Sequence, residues 1–223
     1  MHAVQKIQKF EKRHPRLGPL FWIASIQFFI TQVVVALFWP VPYSLTNHTI
    51  SDLGNSACGM YAERYVCSPL FSWMNASFMV LGITMLAGSV LLYQQFRKNP
   101  GSAIGFWFMG LAGAGTILVG LFPENSIGWL HSLGAFLPFS LGNIALIVLG
   151  LSLDLKPAFR LYTLLSGIIS LAAFFLLVSH NYLYLGIGGM ERFTAHPQTI
   201  WLIIFGFYLA GTARRAQKIL KNT

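Results

Sequence analysis

Three short stretches, residues 46–54, 123–131 and 188–196, are dense in side chains that can act as nucleophiles, bases or metal ligands. The first contains a serine next to an aspartate, the second a glutamate and a histidine, and the third a glutamate, an arginine and a histidine. These residue types suit acyl or group transfer and metal-assisted hydrolysis. Because the stretches are far apart in the chain, joint chemistry requires a fold that brings them together.

Two catalytic arrangements fit these residues. In the first, Ser51 is a nucleophile, His131 is its general base, and a nearby carboxylate, Asp52 or Glu124, orients the histidine. In the second, His131, His196 and Asp52 hold a divalent metal such as zinc with one open position, which lowers the pKa of a bound water. Neither a G-x-S-x-G nor an H-x-x-x-H spacing accompanies the residues, so the sequence leaves both arrangements open.

Each polar residue also has an ordinary structural interpretation. Thr49-Ile-Ser-Asp52 matches a capping box with Asp in place of Glu, so Asp52 alternatively starts a short helix. Glu124 is alternatively an acid in the first turn of a helix, and Glu191 with Arg192 an ion pair that holds a glycine-rich loop. The same residues therefore predict either a reactive site or a set of loop anchors.

The rest of the sequence predicts the elements that carry these residues. With 55% hydrophobic and 9% charged residues, the chain has too little polar surface for a soluble domain. Six apolar segments each have about the 17–25 residues that a helix needs to cross a bilayer. They are Leu17–Phe38, Leu70–Tyr93, Ala103–Phe122, Trp129–Leu153, Phe159–Val178 and Pro197–Ala213. We therefore expect an all-α integral membrane protein, a bundle of six transmembrane helices over residues 17–213 between basic tails at 1–16 and 214–223.

The basic residues are distributed unevenly between the two sides of this bundle. Most of the 15 Lys and Arg residues lie in the two tails or in the loops after the second and fourth segments. They are Lys6, Lys9, Lys12, Arg13, Arg16, Arg97, Lys98, Lys156, Arg160, Arg214, Arg215, Lys218 and Lys221. The positive-inside rule then predicts cytoplasmic N- and C-termini in an inner (plasma) membrane, with the three polar stretches on the extracytoplasmic side. Topology explains the net charge of +9, so nucleic-acid binding is disfavoured.

Cys58 and Cys67 both fall in the first loop on that extracytoplasmic side, where disulfides persist. A bridge there restricts the unfolded loop and is worth roughly 2–3 kcal/mol. A redox-active pair would usually have a C-x-x-C spacing near a helix end. The sequence therefore predicts a structural disulfide.

Helix ends and helix contacts also have sequence signals. Residues 68–69, 125–126 and 196–197 each place a capping side chain before proline or the next apolar segment, which predicts the starts of the second, fourth and sixth spans. Small residues at 110–115 in the third span, and on the face of His131 in the fourth, predict close contacts between helices. We expect that face to point into the bundle.

Three ordered blocks together resemble a known family. They are Ile50-Ser-Asp-Leu-Gly54, Leu121-Phe-Pro-Glu-Asn125 followed by His131 and Gly134-Ala135, and Gly189-Met-Glu-Arg-Phe193 with His196-Pro197 and Trp201. Over roughly residues 20–213 the chain resembles the uncharacterised bacterial and archaeal membrane family called domain of unknown function nine-nine-eight, itself distantly similar to the Frag/DRAM/Sfk group of lipid-associated proteins. The resemblance implies six helices and no particular activity.

One departure from the family pattern affects the candidate site. Where the family more often has Tyr-Pro, this chain has His196-Pro197, which weakens the case for His196 as an essential ligand. The resemblance shifts weight to the positions that match the blocks, which are Asp52, Glu124, His131, Glu191 and Arg192.

Together these observations favour a membrane-embedded enzyme that acts on a lipid or lipid-linked substrate at the outer leaflet, by hydrolysis or group transfer. Arg192, Glu191 and Asn125 are the candidate substrate-binding residues, and membrane lipids are the expected partners. The rival hypothesis is a non-catalytic lipid-binding or partner-stabilising protein, with or without self-association. A transporter is third, because the polar residues near the midplane are neutral. Haem is disfavoured, since only His131 and His180 lie near the bilayer and neither has a helical partner.

Overall fold

The computed structural model describes residues 16–222, with side chains described as far as residue 212. The helices are α1 (Leu17–Ile23), α2 (Ile26–Leu37), α3 (Phe71–Phe96), α4 (Pro100–Leu121), α5 (Gly128–Leu137), α6 (Asn143–Ser152), α7 (Pro157–Val178) and α8 (Gly186–Asn222). A 3-10 turn (Ser51–Gly54), a hairpin of β1 (Gly59–Tyr61) and β2 (Arg64–Val66), and a π-helical segment (Pro138–Gly142) complete the fold. Most basic residues of the two predicted tails lie outside the described side chains, namely Lys6, Lys9, Lys12, Arg13, Arg214, Arg215, Lys218 and Lys221.

Five helical segments of the described chain are long and apolar enough to cross a membrane. They are Leu17–Leu37, which joins α1 and α2, then α3, α4, the continuous run Gly128–Ser152 and α7. They match the first five predicted segments within about three residues at each end. The all-α multi-pass membrane architecture predicted from hydropathy is therefore confirmed at this level.

The last helix differs from the prediction. α8 begins at Gly186, eleven residues before the predicted start at Pro197, and runs to Asn222 with Pro197 inside it. Proline is tolerated within membrane helices, so His196-Pro197 is no reliable start signal here. Gly186 has φ +70°, a left-handed conformation that glycine adopts without strain, and a Cβ there would lie 2.2 Å from the Thr46 carbonyl oxygen.

The other two predicted cap sites were also wrong. α3 begins at Phe71 and α5 at Gly128, and neither has a side-chain cap. The Ser68 hydroxyl instead donates to the Leu53 carbonyl at 2.6 Å, and Asn125 bonds Ser56. The polar side chains hold loops to one another, which competes with capping because both uses need the same few hydrogen-bonding groups.

Small residues bring the central helices into close contact, as predicted. A Cβ on Gly113 of α4 would lie 2.7 Å from the Gly82 carbonyl oxygen of α3, so neither position has room for a side chain. A Cβ on Gly115 would meet Gly134 of α5 in the same way. The face of α5 that carries His131 therefore packs inward, and His131 is only 8% exposed.

Three loops meet at one end of the bundle, which we call the long-loop end; they span residues 38–70, 122–127 and 179–185. The Asn55 amide in the first of these loops donates to Glu124 in the second, and the Ile50 N–H donates to Glu191 near the start of α8. At the other end, the Asn99 amide donates to the Ser152 carbonyl and joins the two short loops. Alternate loops thus share an end, as the sequence predicts for an up-and-down bundle.

A disulfide bond constrains the first long loop. Cys58 and Cys67 form the predicted disulfide across the β1–β2 hairpin, in which Met60 pairs with Tyr65 in antiparallel register. The hairpin also positions Arg64, which reaches back to the 3-10 turn. The residues of that turn are consequently anchored from one side by the hairpin and from the other by α3 and α8.

Candidate functional site

Ser51 and His131, which are 80 residues apart in sequence, meet at the long-loop end. The Ser51 Oγ lies 3.1 Å from His131 Nε2, within hydrogen-bonding distance. Ser51 is the first residue of the 3-10 turn, which is held in place because Asn75 of α3 donates to the Gly54 carbonyl at 2.9 Å. His131 lies in the first turns of α5 and is almost fully buried. This is the contact that a nucleophile and its general base require.

The second ring nitrogen of His131 determines its tautomer. Nδ1 lies 2.8 Å from the Phe122 carbonyl oxygen, which can only accept a hydrogen bond. Nδ1 therefore carries a proton, and in a neutral imidazole Nε2 is left with a lone pair directed at Ser51. A backbone carbonyl thus does the orienting that the sequence assigns to a carboxylate.

Glu191 makes the third contact in this cluster, which we call the Ser51 cluster: Ser51, His131 and Glu191. Its Oε1 is 3.0 Å from the Ser51 Oγ, and its other oxygen accepts from the Ile50 N–H. The sequence predicts Glu191 as a substrate-binding residue or the ion-pair partner of Arg192. In the structure its carboxyl points instead at the candidate nucleophile, and it is 6% exposed.

Both contacts of Ser51 are hydrogen bonds at the same time only when the Ser51 cluster holds one proton besides that of the Ser51 hydroxyl. Two hydrogen bonds link Glu191, Ser51 and His131, but the Ser51 hydroxyl supplies one hydrogen. The second sits either on Glu191, which then donates to Ser51, or on His131 Nε2. A buried carboxyl with few polar neighbours favours its neutral form, so the arrangement Glu191–OH to Ser51–OH to His131 fits the site. In that arrangement the Ser51 proton points at the histidine lone pair.

A small apolar cavity of about 50 Å³ lies beside this cluster inside the bundle. Ser51 and Glu191 lie on its wall, and the remainder is mostly aromatic and aliphatic, including Phe28, Phe78 and Leu81. The π-helical segment also contributes, since Pro138 and Phe139 line the cavity. Such segments are frequent at functional sites because they displace the helix wall locally. The cavity has the chemical character of a hydrocarbon-binding site.

Asp52 belongs to a separate network. Its carboxylate accepts from the Thr49 N–H at 2.7 Å while the Asp52 N–H donates to the Thr49 hydroxyl at 3.0 Å, which is the predicted capping box. Arg64 holds the same carboxylate with two hydrogen bonds, Nε to Oδ2 at 2.7 Å and Nη2 to Oδ1 at 2.8 Å. Asp52 is fully buried and does not touch His131, so its predicted catalytic role is not supported by its position.

Glu124 also lies away from the histidine. Its carboxyl accepts from the Asn55 amide at 3.0 Å, and its main-chain carbonyl accepts from the Tyr61 hydroxyl. Burial, reinforced by the nearby Asp52 charge, raises the pKa of Glu124 to about 9. Asn125, predicted to bind substrate, is occupied by bonds to the Ser56 N–H and hydroxyl. Both residues therefore tie the second long loop to the first.

Arg192 faces a different side of α8 from Glu191. Its Nη1 donates to the carbonyls of Leu45, His48 and Gly188 at 3.0, 2.8 and 2.8 Å, and its Nη2 donates to the Tyr43 hydroxyl. No carboxylate pairs with it within ion-pair distance in the described part of the chain. The predicted Glu191–Arg192 ion pair is therefore absent, and the guanidinium anchors the first long loop by its carbonyl groups.

A comparison with protein families bears on these assignments. The model of the family described as "Protein of unknown function (DUF998)" matches residues 22–208. The chain belongs to the DUF998 family. This confirms the resemblance seen in the sequence, and the match includes all the candidate residues described above. No curated protein and no solved structure matches the DUF998 chain.

The metal site predicted for this DUF998 protein is not formed. His131 bonds Ser51 and the Phe122 carbonyl, whereas the Nε2 of His196 lies 3.1 Å from Gln32 Oε1, and Asp52 is held by Arg64. Within residues 16–222, no group of three or more His, Cys, Asp or Glu side chains is arranged to hold a metal. The residues present therefore do not fit the three-ligand zinc site.

Two contacts at the candidate site of the DUF998 chain were not predicted from the sequence. Arg64 is the partner that neutralises Asp52, and the Phe122 carbonyl orients His131. Arg64 had a signal, because it is one of only two basic residues on the predicted extracytoplasmic side. A backbone carbonyl has none, since every residue carries one and only the fold selects which is used.

Proposed function

We propose that this protein is a membrane-embedded enzyme that hydrolyses, or transfers the acyl group of, an ester in a lipid or lipid-linked substrate. In this proposal Ser51 is the nucleophile and His131 the general base. Six transmembrane helices, with α8 as the sixth, place both termini in the cytoplasm of a plasma-membrane protein. The long-loop end then faces the outer leaflet, consistent with the positive-inside rule.

One observation carries the proposal: the 3.1 Å contact between Ser51 Oγ and a His131 Nε2 whose lone pair is fixed by the Phe122 carbonyl. Ser51 and the Phe122 carbonyl belong to two loops, and His131 belongs to a helix. The contact between Ser51 and His131 lies beside an apolar cavity. A serine used only to satisfy a buried histidine needs no such cavity. The combination supports acyl chemistry on a substrate with a hydrocarbon chain.

The chemical steps use only groups of this chain and water. The Ser51 Oγ attacks the ester carbonyl carbon while its proton passes to His131 Nε2, and a Ser51 ester forms when the carbon–oxygen bond to the leaving alcohol breaks. His131 gives the proton to that leaving oxygen. Water or an acceptor alcohol, deprotonated in turn by His131, then attacks the acyl carbon and releases Ser51.

Covalent labelling tests the nucleophile directly. Detergent-purified protein is treated with a long-chain alkyl fluorophosphonate, and intact-mass and peptide mass spectrometry locate the adduct. We expect one adduct per molecule, on Ser51, because the cavity wall beside Ser51 is mostly apolar and the histidine activates only this hydroxyl. Ser51→Ala should remove the adduct.

Ser126→Ala is the matched control, since Ser126 is an exposed serine of the second long loop that bonds the Pro123 carbonyl. It should label like the wild-type protein. The assignment is contradicted if the folded wild-type protein gains no adduct on Ser51. It is also contradicted if the His131→Gln variant is labelled as fast as the wild-type protein.

A non-catalytic lipid-binding role is the second candidate. It is favoured by the loop anchors, because Asp52, Asn125 and Arg192 all bond other parts of the protein instead of facing open space. In that case the apolar cavity retains a lipid and Ser51 merely satisfies His131. Retention of an unmodified lipid together with unreactive Ser51 would favour this role over the enzyme.

A further inference from the structure

A second apolar groove lies on the outside of the bundle, between α2 and α8. Its volume is about 620 Å³, and five residues of α2, including Gln32, Val33 and Leu37, form one wall. Val33 and Leu37 are 60% and 78% exposed, so the groove opens on the apolar belt that faces the membrane. It is separate from the internal cavity beside Ser51, whose lining shares no residue with it.

The groove is polar at one end. Arg192 and Tyr43 line it where α8 meets the first long loop, whereas Phe29, which packs against the His196 ring at 4.9 Å, lies on its wall farther from that loop. A charged end at the membrane boundary and an apolar length below it match the two parts of a phospholipid. The polarity of the groove thus gives an orientation for its occupant, with the headgroup at the long-loop end.

Arg192 has donor capacity left over for such a headgroup. The guanidinium has five N–H groups; the two on Nη1 go to backbone carbonyls and one on Nη2 goes to the Tyr43 hydroxyl. Tyr43 in turn donates to the Thr49 carbonyl at 2.8 Å, so it accepts from Arg192. The Nε–H and the second Nη2–H have no acceptor among the described residues. Arg64 uses these same two nitrogens to hold the Asp52 carboxylate, which shows the pairing that the corresponding edge of Arg192 offers to an anion.

The charge of Arg192 and an unpaired amide donor of Gln32 also favour an anionic ligand in this groove. The nearest acidic side chain in sequence, Glu191, is turned to Ser51, so the positive charge of Arg192 has no ion-pair partner in the described chain. Gln32, on the opposite wall, is 8% exposed; its Oε1 is bonded to His196 while its amide Nε2 has no partner. A partly buried cation and an unsatisfied buried amide both favour an anionic ligand that supplies acceptors.

We infer that this groove binds one anionic glycerophospholipid, with its phosphate on Arg192 and its acyl chain along α2. The site is distinct from the Ser51 cluster and does not depend on the proposed enzyme activity. The lipid would tie α8 to α2 and to the first long loop through a single phosphate group.

Native mass spectrometry of the full chain, reconstituted with phosphatidylglycerol or phosphatidylcholine and then released into detergent, tests the inference. The wild-type protein should retain one molecule of phosphatidylglycerol. Its retention of phosphatidylcholine should be about tenfold lower, because the choline group already neutralises the phosphate of that lipid. Excess inorganic phosphate should leave the lipid bound. Equal retention of the two lipids, or displacement by inorganic phosphate, would overturn the lipid assignment.

Two variants locate the site. Arg192→Gln should retain phosphatidylglycerol about tenfold less well, which corresponds to losing one charge-assisted pair. Lys156→Gln, which removes an exposed charge at the other end of the bundle, should bind like the wild-type protein. Because Arg192 also anchors a loop, Ala36→Phe is the second variant: it fills the groove and leaves every Arg192 hydrogen bond in place.

Ala36→Phe should keep wild-type labelling of Ser51, which separates this test from that of the proposed function. If Ala36→Phe, folded by its melting temperature, retains as much phosphatidylglycerol as the wild-type protein, the groove is not the site. Unlabelled Ser51 with intact lipid retention would count against the enzyme and not against this inference.

Discussion

Ser51 and Asp52 are neighbours in the chain, yet they belong to two networks of opposite character. The Asp52 network is an anchor: its carboxylate receives hydrogen bonds from the Thr49 N–H and from two nitrogens of Arg64, whose positive charge balances that of Asp52. The Ser51 cluster has a proton that can sit on either end and a wall that opens on an apolar cavity. The 3-10 turn directs consecutive side chains to different partners, which separates the anchoring role from the reactive one.

A high density of polar residues in the sequence is therefore a poor guide to the position of a reactive site. All the acidic residues near the long-loop end look alike in sequence, but only Glu191 contacts the candidate nucleophile. Anchoring residues should therefore affect stability with little change in reactivity, whereas Ser51 and His131 should do the reverse. Each prediction below tests one side of this contrast.

The largest expected effect is on reactivity. His131→Gln should slow fluorophosphonate labelling of Ser51, and hydrolysis of any ester substrate, by about 10³–10⁴-fold, because it removes the general base. Its melting temperature should stay close to that of the wild-type protein, since glutamine can still donate to the Phe122 carbonyl. Rates are measured by intact-mass time courses. Unchanged labelling would remove the distinction between the two networks.

Breaking the Asp52 network should mainly cost stability. Asp52→Asn leaves Arg64 without its counter-charge and should destabilise the folded protein by about 3–5 kcal/mol. The labelling rate of the folded fraction should change less than tenfold. Chemical denaturation in detergent, with Arg64→Gln and the double variant, measures the coupling energy of the pair. A large loss of labelling in well-folded Asp52→Asn would restore a catalytic role for Asp52.

The disulfide should give a smaller loss of the same kind. Replacing both Cys58 and Cys67 with serine should lower the free energy of unfolding by roughly 2–3 kcal/mol, because the bridge closes a short loop. Reductant applied to the wild-type protein should reproduce the shift in melting temperature, and reductant should have no effect on the double variant. The assignment of a stabilising disulfide is contradicted if the double substitution lowers the melting temperature and reductant does not, or the reverse.

Glu124 should make stability depend on pH. Its pKa is about 9 in the folded protein and ordinary in the unfolded one, so folding favours its protonated form. The stabilisation is complete below the unfolded pKa and is lost as pH rises toward 9, with a limiting slope of about 1.4 kcal/mol per pH unit. Glu124→Gln should flatten this slope in melting experiments between pH 5 and 9 (roughly the window that the shift spans). A slope unchanged by the substitution contradicts the burial argument.

The smallest expected change comes from Glu191→Gln. The glutamine oxygen can accept from the Ile50 N–H while its amide donates to the Ser51 Oγ, as a protonated Glu191 would. Labelling should therefore fall less than about tenfold, whereas Glu191→Leu, which cannot donate, should lose more. If Gln and Leu impair labelling equally, Glu191 works as a carboxylate and the proton count given above is wrong.

Hydropathy was enough to predict five apolar helices, including the one that carries His131. Apolar length is a local property of the sequence, and five of the six predicted spans recur as apolar helices of the same extent. The start of α8 was predicted wrongly because a proline inside a helix removes only its own backbone N–H donor, and here the helix continues through Pro197. Contact between small residues of α4 and its neighbours was also predictable, since lipid leaves packing as the main force between helices.

The sequence predicted which residues belong to the candidate site better than it predicted which of them bond to one another. The contact of Ser51 with His131 was one of two alternatives offered by residue type, but the sequence could not show that His196 turns to Gln32 or that Asp52 turns to Arg64. Such choices depend on which carbonyls and loops meet after folding. The extra proton of the Ser51 cluster is likewise a property of three-dimensional hydrogen bonding and leaves no trace in the sequence.

Glu191 and Arg192 are consecutive residues of one rigid helix, and they reach two different binding spaces. Any coupling between the two spaces would pass through α8, because a rotation of this helix moves both side chains at once. Thermodynamic reciprocity then sets a quantitative demand: if a bound phospholipid changes the affinity of the inner cavity for its ligand by some factor, that ligand changes the affinity for the phospholipid by the same factor. A factor of one, which unchanged labelling of Ser51 in Ala36→Phe would indicate, means that the two spaces bind their ligands independently.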